Sequence, residues 1–260
     1  MKHPDIYIAT FAEGAIETAK ECGFGLELDH PCISSNCDEE QQAATIQAMQ
    51  EDLVAAGITD GHFLVHGPFT ELSPCSMDSK AVDLMWERTR QTLAICRALS
   101  APKLIMHSGY FPPMYQPVWH SKCSVDFWKA LAPEIPDGLT ICVENVFEET
   151  PEAFCQWIQQ VDDPRIQVCL DVGHIQAMAD TDWPAVRWIE TFGSLTKHLH
   201  LHNNRGGRKD THDNVQDGNL DMKALLDTAR KHCPDATWTI ESRNAQPSAQ
   251  WLTEYTKENL

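Results

Sequence analysis

Six residues able to hold a divalent cation or move a proton recur along the chain: His66, His107, Glu144, Asp171, His200 and Glu241, spaced 27 to 41 residues apart. Each closes a short apolar run, and His174 follows Asp171 by one turn of chain. Mixed imidazole and carboxylate sets suit zinc, manganese, iron or cobalt, since these ions accept nitrogen and oxygen donors alike. Any one of these residues alone is more often a hydrogen-bonded structural group. All six would have to find buried partners independently, and a buried unpaired carboxylate is costly. The pattern therefore predicts a metal site.

The elements that must position these residues follow from hydrophobic periodicity. Candidate strands are Ile6–Phe11, Phe24–Leu28, His62–His66, Lys103–His107, Leu139–Asn145, Ile166–Asp171, Thr196–His202 and Thr237–Glu241. Helical patterns alternate with them at Ala12–Cys22, Glu39–Ala56, Ser79–Leu99, Val125–Leu131, Pro151–Val161, Trp183–Phe192, Asp221–His232 and Ala249–Glu258. Eight such units predict an α/β chain folded as a single (β/α)8 TIM barrel over residues 1–260, with no linker or second domain. The spacing of the six residues, about one βα unit each, places them around one mouth at the carboxyl ends of the strands. A doubly wound sheet is the alternative, but 11–15 lacks its glycine-rich phosphate turn.

Two segments stand out. Alternation turns His198, His200 and His202 to one face, and Asp210 and His212 follow on a glycine-containing loop. Arg205 and Arg208 in that loop suggest contact with a phosphate, carboxylate or polyol, or else charge balance for Asp210, Asp213 and Asp217. Tyr110–Ser121, rich in proline and aromatics, reads as a semi-rigid loop that covers a ligand, a neighbouring loop or a second subunit.

The motifs VHGPF (65–69), IMHSGY (105–110), ICVENV (141–146), LDVGH (170–174), HLHLHNN (198–204), DTH (210–212) and TIES (239–242) resemble the xylose isomerase-like barrel superfamily over nearly the whole chain. In its sugar isomerase and epimerase branch one divalent ion is held by two Glu, one Asp and one His, which the resemblance assigns to Glu144, Asp171, His200 and Glu241. Glu144 and Glu241 are then the two catalytic carboxylates. The endonuclease IV branch holds three zinc ions, and its pattern matches His66, His107, Glu144, Asp171, His174, His200, Asp210, His212 and Glu241. His66, His107, His174, Asp210 and His212 are thus either substrate contacts or ligands of additional ions. The resemblance implies an isomerase or epimerase of a small sugar, polyol-derived ketone or sugar phosphate, with a zinc-dependent phosphoester hydrolase as the alternative. A non-catalytic sugar- or metal-binding barrel is a third reading. Asn203 and Gln216 depart from the residues common at their positions, an Asp and a glycine.

Composition narrows the partners. Of 260 residues, 42% are hydrophobic, enough for a substantial core. Lys and Arg number 20 against 38 Asp and Glu, a formal charge of -18, which weighs against nucleic acid and anionic membranes. The sequence contains no apolar run long enough to span a bilayer and no signal-peptide pattern, so a cytoplasmic protein is expected. The 10 cysteines form no CxxC pair and are expected to be reduced, mostly buried thiols, with Cys32 and Cys37 the alternative redox or ligand pair. A homo-oligomer is compatible with the aromatic loop and eight tryptophans.

Overall fold

The computed structural model describes residues 5–59, 61–178 and 182–258. Eight parallel strands close into a barrel in sequence order, the last pairing with the first. They are β1 (Ile6–Ala9), β2 (Gly25–Leu28), β3 (Phe63–His66), β4 (Lys103–His107), β5 (Thr140–Glu144), β6 (Ile166–Asp171), β7 (Thr196–Leu201) and β8 (Thr237–Ile240). The helices are α1 (Ala15–Cys22), α2 (Glu39–Ala56), α3 (Ser79–Leu99), α4 (Pro117–Leu131), α5 (Glu152–Val161), α6 (Val172–Met178), α7 (Ala185–Phe192), α8 (Met222–His232) and α9 (Ala245–Glu258). Closure rules out the open doubly wound sheet.

The strands sort their side chains by the two-residue period of a pleated strand. Leu26, Leu28, Val65, Leu104, Met106, Val143, Leu170, Leu199 and Ile240 join the helices in the main core, together with Trp128, Trp157 and Trp188. Tyr7, Leu64, Ile105, Cys142 and Cys169 form a separate small cluster inside the barrel. The interior positions nearer the carboxyl ends hold the polar residues, so β2 to β7 each supply both the core and the site. Register sets their height: His107 pairs with Glu144 across β4 and β5, and Asp171 with His200 across β6 and β7.

Several expected boundaries move. Asn145, His202 and Glu241 lie just past their strands. The segment 110–121 is loop only at its start, because Pro117 occupies the first turn of α4 after the extended Gln116, a position where its missing N–H costs nothing. The helix expected from Val125 therefore begins eight residues earlier, at Pro117. The short helix α6, directly after β6, has no counterpart in the sequence pattern. All ten cysteines are free thiols; Cys37 is buried and Cys32 lies against His66. Among the described residues no helix is long and apolar enough to cross a membrane.

Candidate active site

At the carboxyl end of the barrel, Glu144, Asp171, His200 and Glu241 bring donor atoms from the last four strands to within 4.8 Å of one another. Nδ1 of His200 lies 3.4 Å from Glu144 Oε1, 3.7 Å from Asp171 Oδ2 and 3.2 Å from Glu241 Oε1. All four side chains are buried, and neither ring nitrogen of His200 has an aligned hydrogen bond. Three carboxylates aimed at one imidazole nitrogen in a water-poor site need positive charge among them, since burying each costs several kcal/mol. The residues fit a divalent ion.

Two further groups flank this floor. His66 Nε2 and His107 Nε2 stand 3.3 and 3.4 Å from Glu144 Oε2, so Glu144 faces both sets with different oxygens. On the other side, Nε2 of His174 and Nε2 of His212 lie 3.3 and 3.0 Å from Asp210 Oδ2. His202 stacks on His212 at 3.9 Å and joins this group, with Nε2 3.0 Å from Asp171 Oδ1. Each set of at least three donors again falls within 4.8 Å.

Local backbone fixes these orientations. His66 Nδ1 donates to the Gly67 carbonyl at 2.8 Å, His174 Nδ1 to the Asn145 carbonyl at 2.9 Å and His212 Nδ1 to the Glu241 carbonyl at 2.7 Å. A carbonyl only accepts, so each ring keeps its Nδ1 proton and turns Nε2 to the carboxylates. Asn145 clasps β6: its Oδ1 accepts from the Asp171 N–H at 2.9 Å and its amide donates to the Asp171 carbonyl at 3.1 Å. Asn203 holds the loop that carries Asp210, accepting from the Asn204 and Leu220 N–H groups and donating to the Val215 and Leu220 carbonyls. An Asp there has no protons to donate, which gives the departure at 203 a structural reason. Gly218 permits the packing, because a Cβ there would stand 2.0 Å from Asn203 Oδ1.

Burial opposes ionisation of Glu144, but His107, His200 and His174 outweigh it and hold the carboxyl well below its usual range. Asp171, opposed by burial but drawn by His174 and His202, falls to about 2. Burial also opposes charge on His212, yet Asp210 lifts it to about 9. His107 is pushed down to about 3 by burial, with the charges of His66, His174 and His200 adding to it against Glu144. Glu144 and Asp171 are thus ionised near neutral pH, as metal ligands must be.

Sequence reasoning missed one carboxylate. Glu27, in the middle of β2, is completely buried, with Oε1 3.2 Å from His200 Nε2 and Oε2 3.4 Å from His198 Nε2. Its only signal was a charged residue at an interior position of an apolar run. Asn145 was visible only as a neighbour of Glu144. Arg205 and Arg208 are exposed on the loop after β7, outside the wall of the cavity above the floor; Arg208 pairs with Glu149. That cavity measures about 940 Å³ and is walled in part by 110–115, the start of the aromatic segment.

The chain is 27% identical over 207 residues to an uncharacterised protein of Methanocaldococcus jannaschii, covering 74% of this chain and 69% of that one. A Thermus thermophilus protein, TTHB071, whose crystals were soaked with zinc chloride, superposes with a TM-score of 0.77 at 24% identity over 98% of both chains. A D-allulose 3-epimerase from a Methylomonas species, in complex with D-allulose, superposes at 0.75 with 15% identity over 100% of this chain and 98% of its own. Residues 16–258 match the family model described as xylose isomerase-like TIM barrel, and the chain belongs to that family.

Proposed function

We propose that this chain is a divalent-metal-dependent isomerase or epimerase that moves a proton on the carbon beside a carbonyl of a small sugar or polyol-derived ketone. The observation that carries this reading is the convergence of Glu144, from β5, and Glu241, beyond β8, on the one nitrogen His200 Nδ1. Glu144, Asp171, His200 and Glu241 would hold the ion, and zinc or manganese suits this mixed set. Bound there, the ion supplies Lewis acidity that polarises the carbonyl and offsets charge developing on its oxygen.

The chain's own residues supply the rest. One of the two Glu carboxylates removes the proton from the carbon and the other returns one. His107 and His174, both within ion-pair distance of Glu144, are placed to hydrogen-bond substrate hydroxyls. In protein reconstituted with zinc or manganese, Glu144→Gln and Glu241→Gln should each abolish solvent-deuterium incorporation into substrate. Full exchange in either variant refutes the assignment.

The two flanking groups favour a second reading. Glu144 shared with His66 and His107, and Asp210 with His174 and His212, fit two more ions and the water-activating chemistry of a phosphoester hydrolase. Metal analysis separates the readings. Near one ion per chain supports proton transfer; near three, with phosphodiesterase activity lost in His66→Ala and His212→Ala, supports hydrolysis.

A further inference from the structure

The cavity changes character sharply along its depth. Its floor is imidazole and carboxylate, but the wall above is Phe11, Leu72, Phe69, Phe111, Met114 and Phe147. The two zones touch: Phe69 stacks on His107 at 4.4 Å and 19°, and Phe11 meets His212 edge-on at 5.7 Å. Phe111 packs edge-on against Phe147 at 5.5 Å, so the wall continues outward as a joined aromatic surface. A molecule seated on the floor therefore has apolar wall as a direct neighbour, in contact with His107 and His212.

Among the described residues the cavity wall contains no lysine or arginine, and it includes Glu71. A phosphate or carboxylate at the far end of a substrate finds no cation there, and the chain's charge of -18 adds to its exclusion. Phe11, Phe69, Phe111 and Met114 stay 40 to 71% exposed, leaving apolar area for a ligand to cover. At about 940 Å³ the cavity is near the top of the roughly 300–1,000 Å³ range of ligand sites, more than a single six-carbon sugar fills.

We infer that the substrate is a neutral hydroxy-carbonyl compound bearing an aryl or alkyl substituent, its polar head on the floor and its substituent between Phe69, Phe111 and Met114. This rests on the proton-transfer reading for the head and adds the nature of the tail. Burying the exposed faces of two aromatic rings against a tail is the source of the discrimination, since affinity follows apolar area removed from water.

The test uses three probes with one reacting head: hydroxyacetone, 1-hydroxy-4-phenylbutan-2-one and dihydroxyacetone phosphate. Their dissociation constants are measured by calorimetry on the zinc-reconstituted chain, and deuterium exchange is followed in parallel samples. The phenyl compound should bind at least tenfold more tightly than either other probe, and the double variant Phe111→Ser, Met114→Ser should bring the three within threefold of one another. Tightest binding of the phosphate, equal affinities, or no binding of the phenyl compound overturns the inference. So does a preference that survives the double variant, or a dimer that the double variant dissociates while tail preference stays the same, which would make this wall an interface between copies. Failure of all three probes to exchange deuterium, with the affinity order as expected, counts against the proton-transfer reading alone.

Discussion

Glu27→Gln isolates the charge behind His200. Glutamine keeps the volume and an acceptor oxygen for His200 Nε2, 3.2 Å away, but removes the negative charge. That charge favours the state in which Nε2 carries the proton and Nδ1 offers its lone pair to the ring formed by Glu144, Asp171 and Glu241. Between two unit charges at this distance the bare attraction is roughly 5 kcal/mol at an effective dielectric of about 20, and a neutral ring draws only a fraction of that. Desolvation of a fully buried carboxylate takes back most of it. Residues that orient a ligating histidine in this way typically change metal affinity by about 10- to 100-fold, or about 1.4 to 2.7 kcal/mol. Competition for zinc with a chromogenic chelator should show that loss, with Glu27→Asp in between and circular dichroism unchanged. A folded Glu27→Gln chain that binds zinc within threefold of the unaltered protein would refute the reasoning, and would reduce Glu27 to a partner of His198.

Other consequences follow from the same contacts. Asn145→Leu strands both backbone groups of Asp171 that Asn145 now satisfies, so denaturant unfolding should show a loss of about 2 to 5 kcal/mol and metal binding should weaken with it. In Gly173→Ala the new Cβ would meet His202 Cε1 at 2.0 Å, pushing the ring off Asp171. Overpacking of this kind costs about 1 to 3 kcal/mol, and a melting temperature equal to that of the unaltered chain would contradict it. His120 lies away from the donor clusters, buried, with Nε2 donating to the Ser108 carbonyl at 2.9 Å. Burial, only partly opposed by that carbonyl, pushes its pKa down to about 4. The unfolded chain then binds the proton first as pH falls below the ordinary histidine value, so this contribution to stability is complete at pH 7 and shrinks toward the folded value. Between about pH 7 and pH 5 the loss is about 2 kcal/mol. The pH dependence of unfolding should be shallower by that amount in His120→Phe, and an equal slope in both proteins would contradict the assignment.

Much of the site was legible in the sequence because a barrel strand couples two regularities. The two-residue period says which side chain of each strand turns inward, and the βα repeat says that successive strand ends share one rim. His66, His107, Glu144 and Asp171 close their strands, His200 stands one residue before the end of its own, and Glu241 directly follows its own. Local signals also set α2 and α3 to the residue: Glu39 and Glu40 open α2 and the left-handed Gly57 ends it, while the Asp78 carboxylate caps α3 by accepting from the Lys80 N–H, contacts that need no distant partner. Long-range geometry decided the rest. Closure and register determine that Glu144 serves two donor sets, that Asp210 reaches His174 and His212 rather than the central four, and that Glu27 lies behind His200. Arg205 and Arg208 share a loop with Asp210 and His212, yet neither arginine lines the cavity, and left-handed Gly206 and Gly207 turn the chain between them. Spacing along a chain fixes the facing of a residue within its own strand, whereas its partners depend on how the barrel closes and how each loop returns.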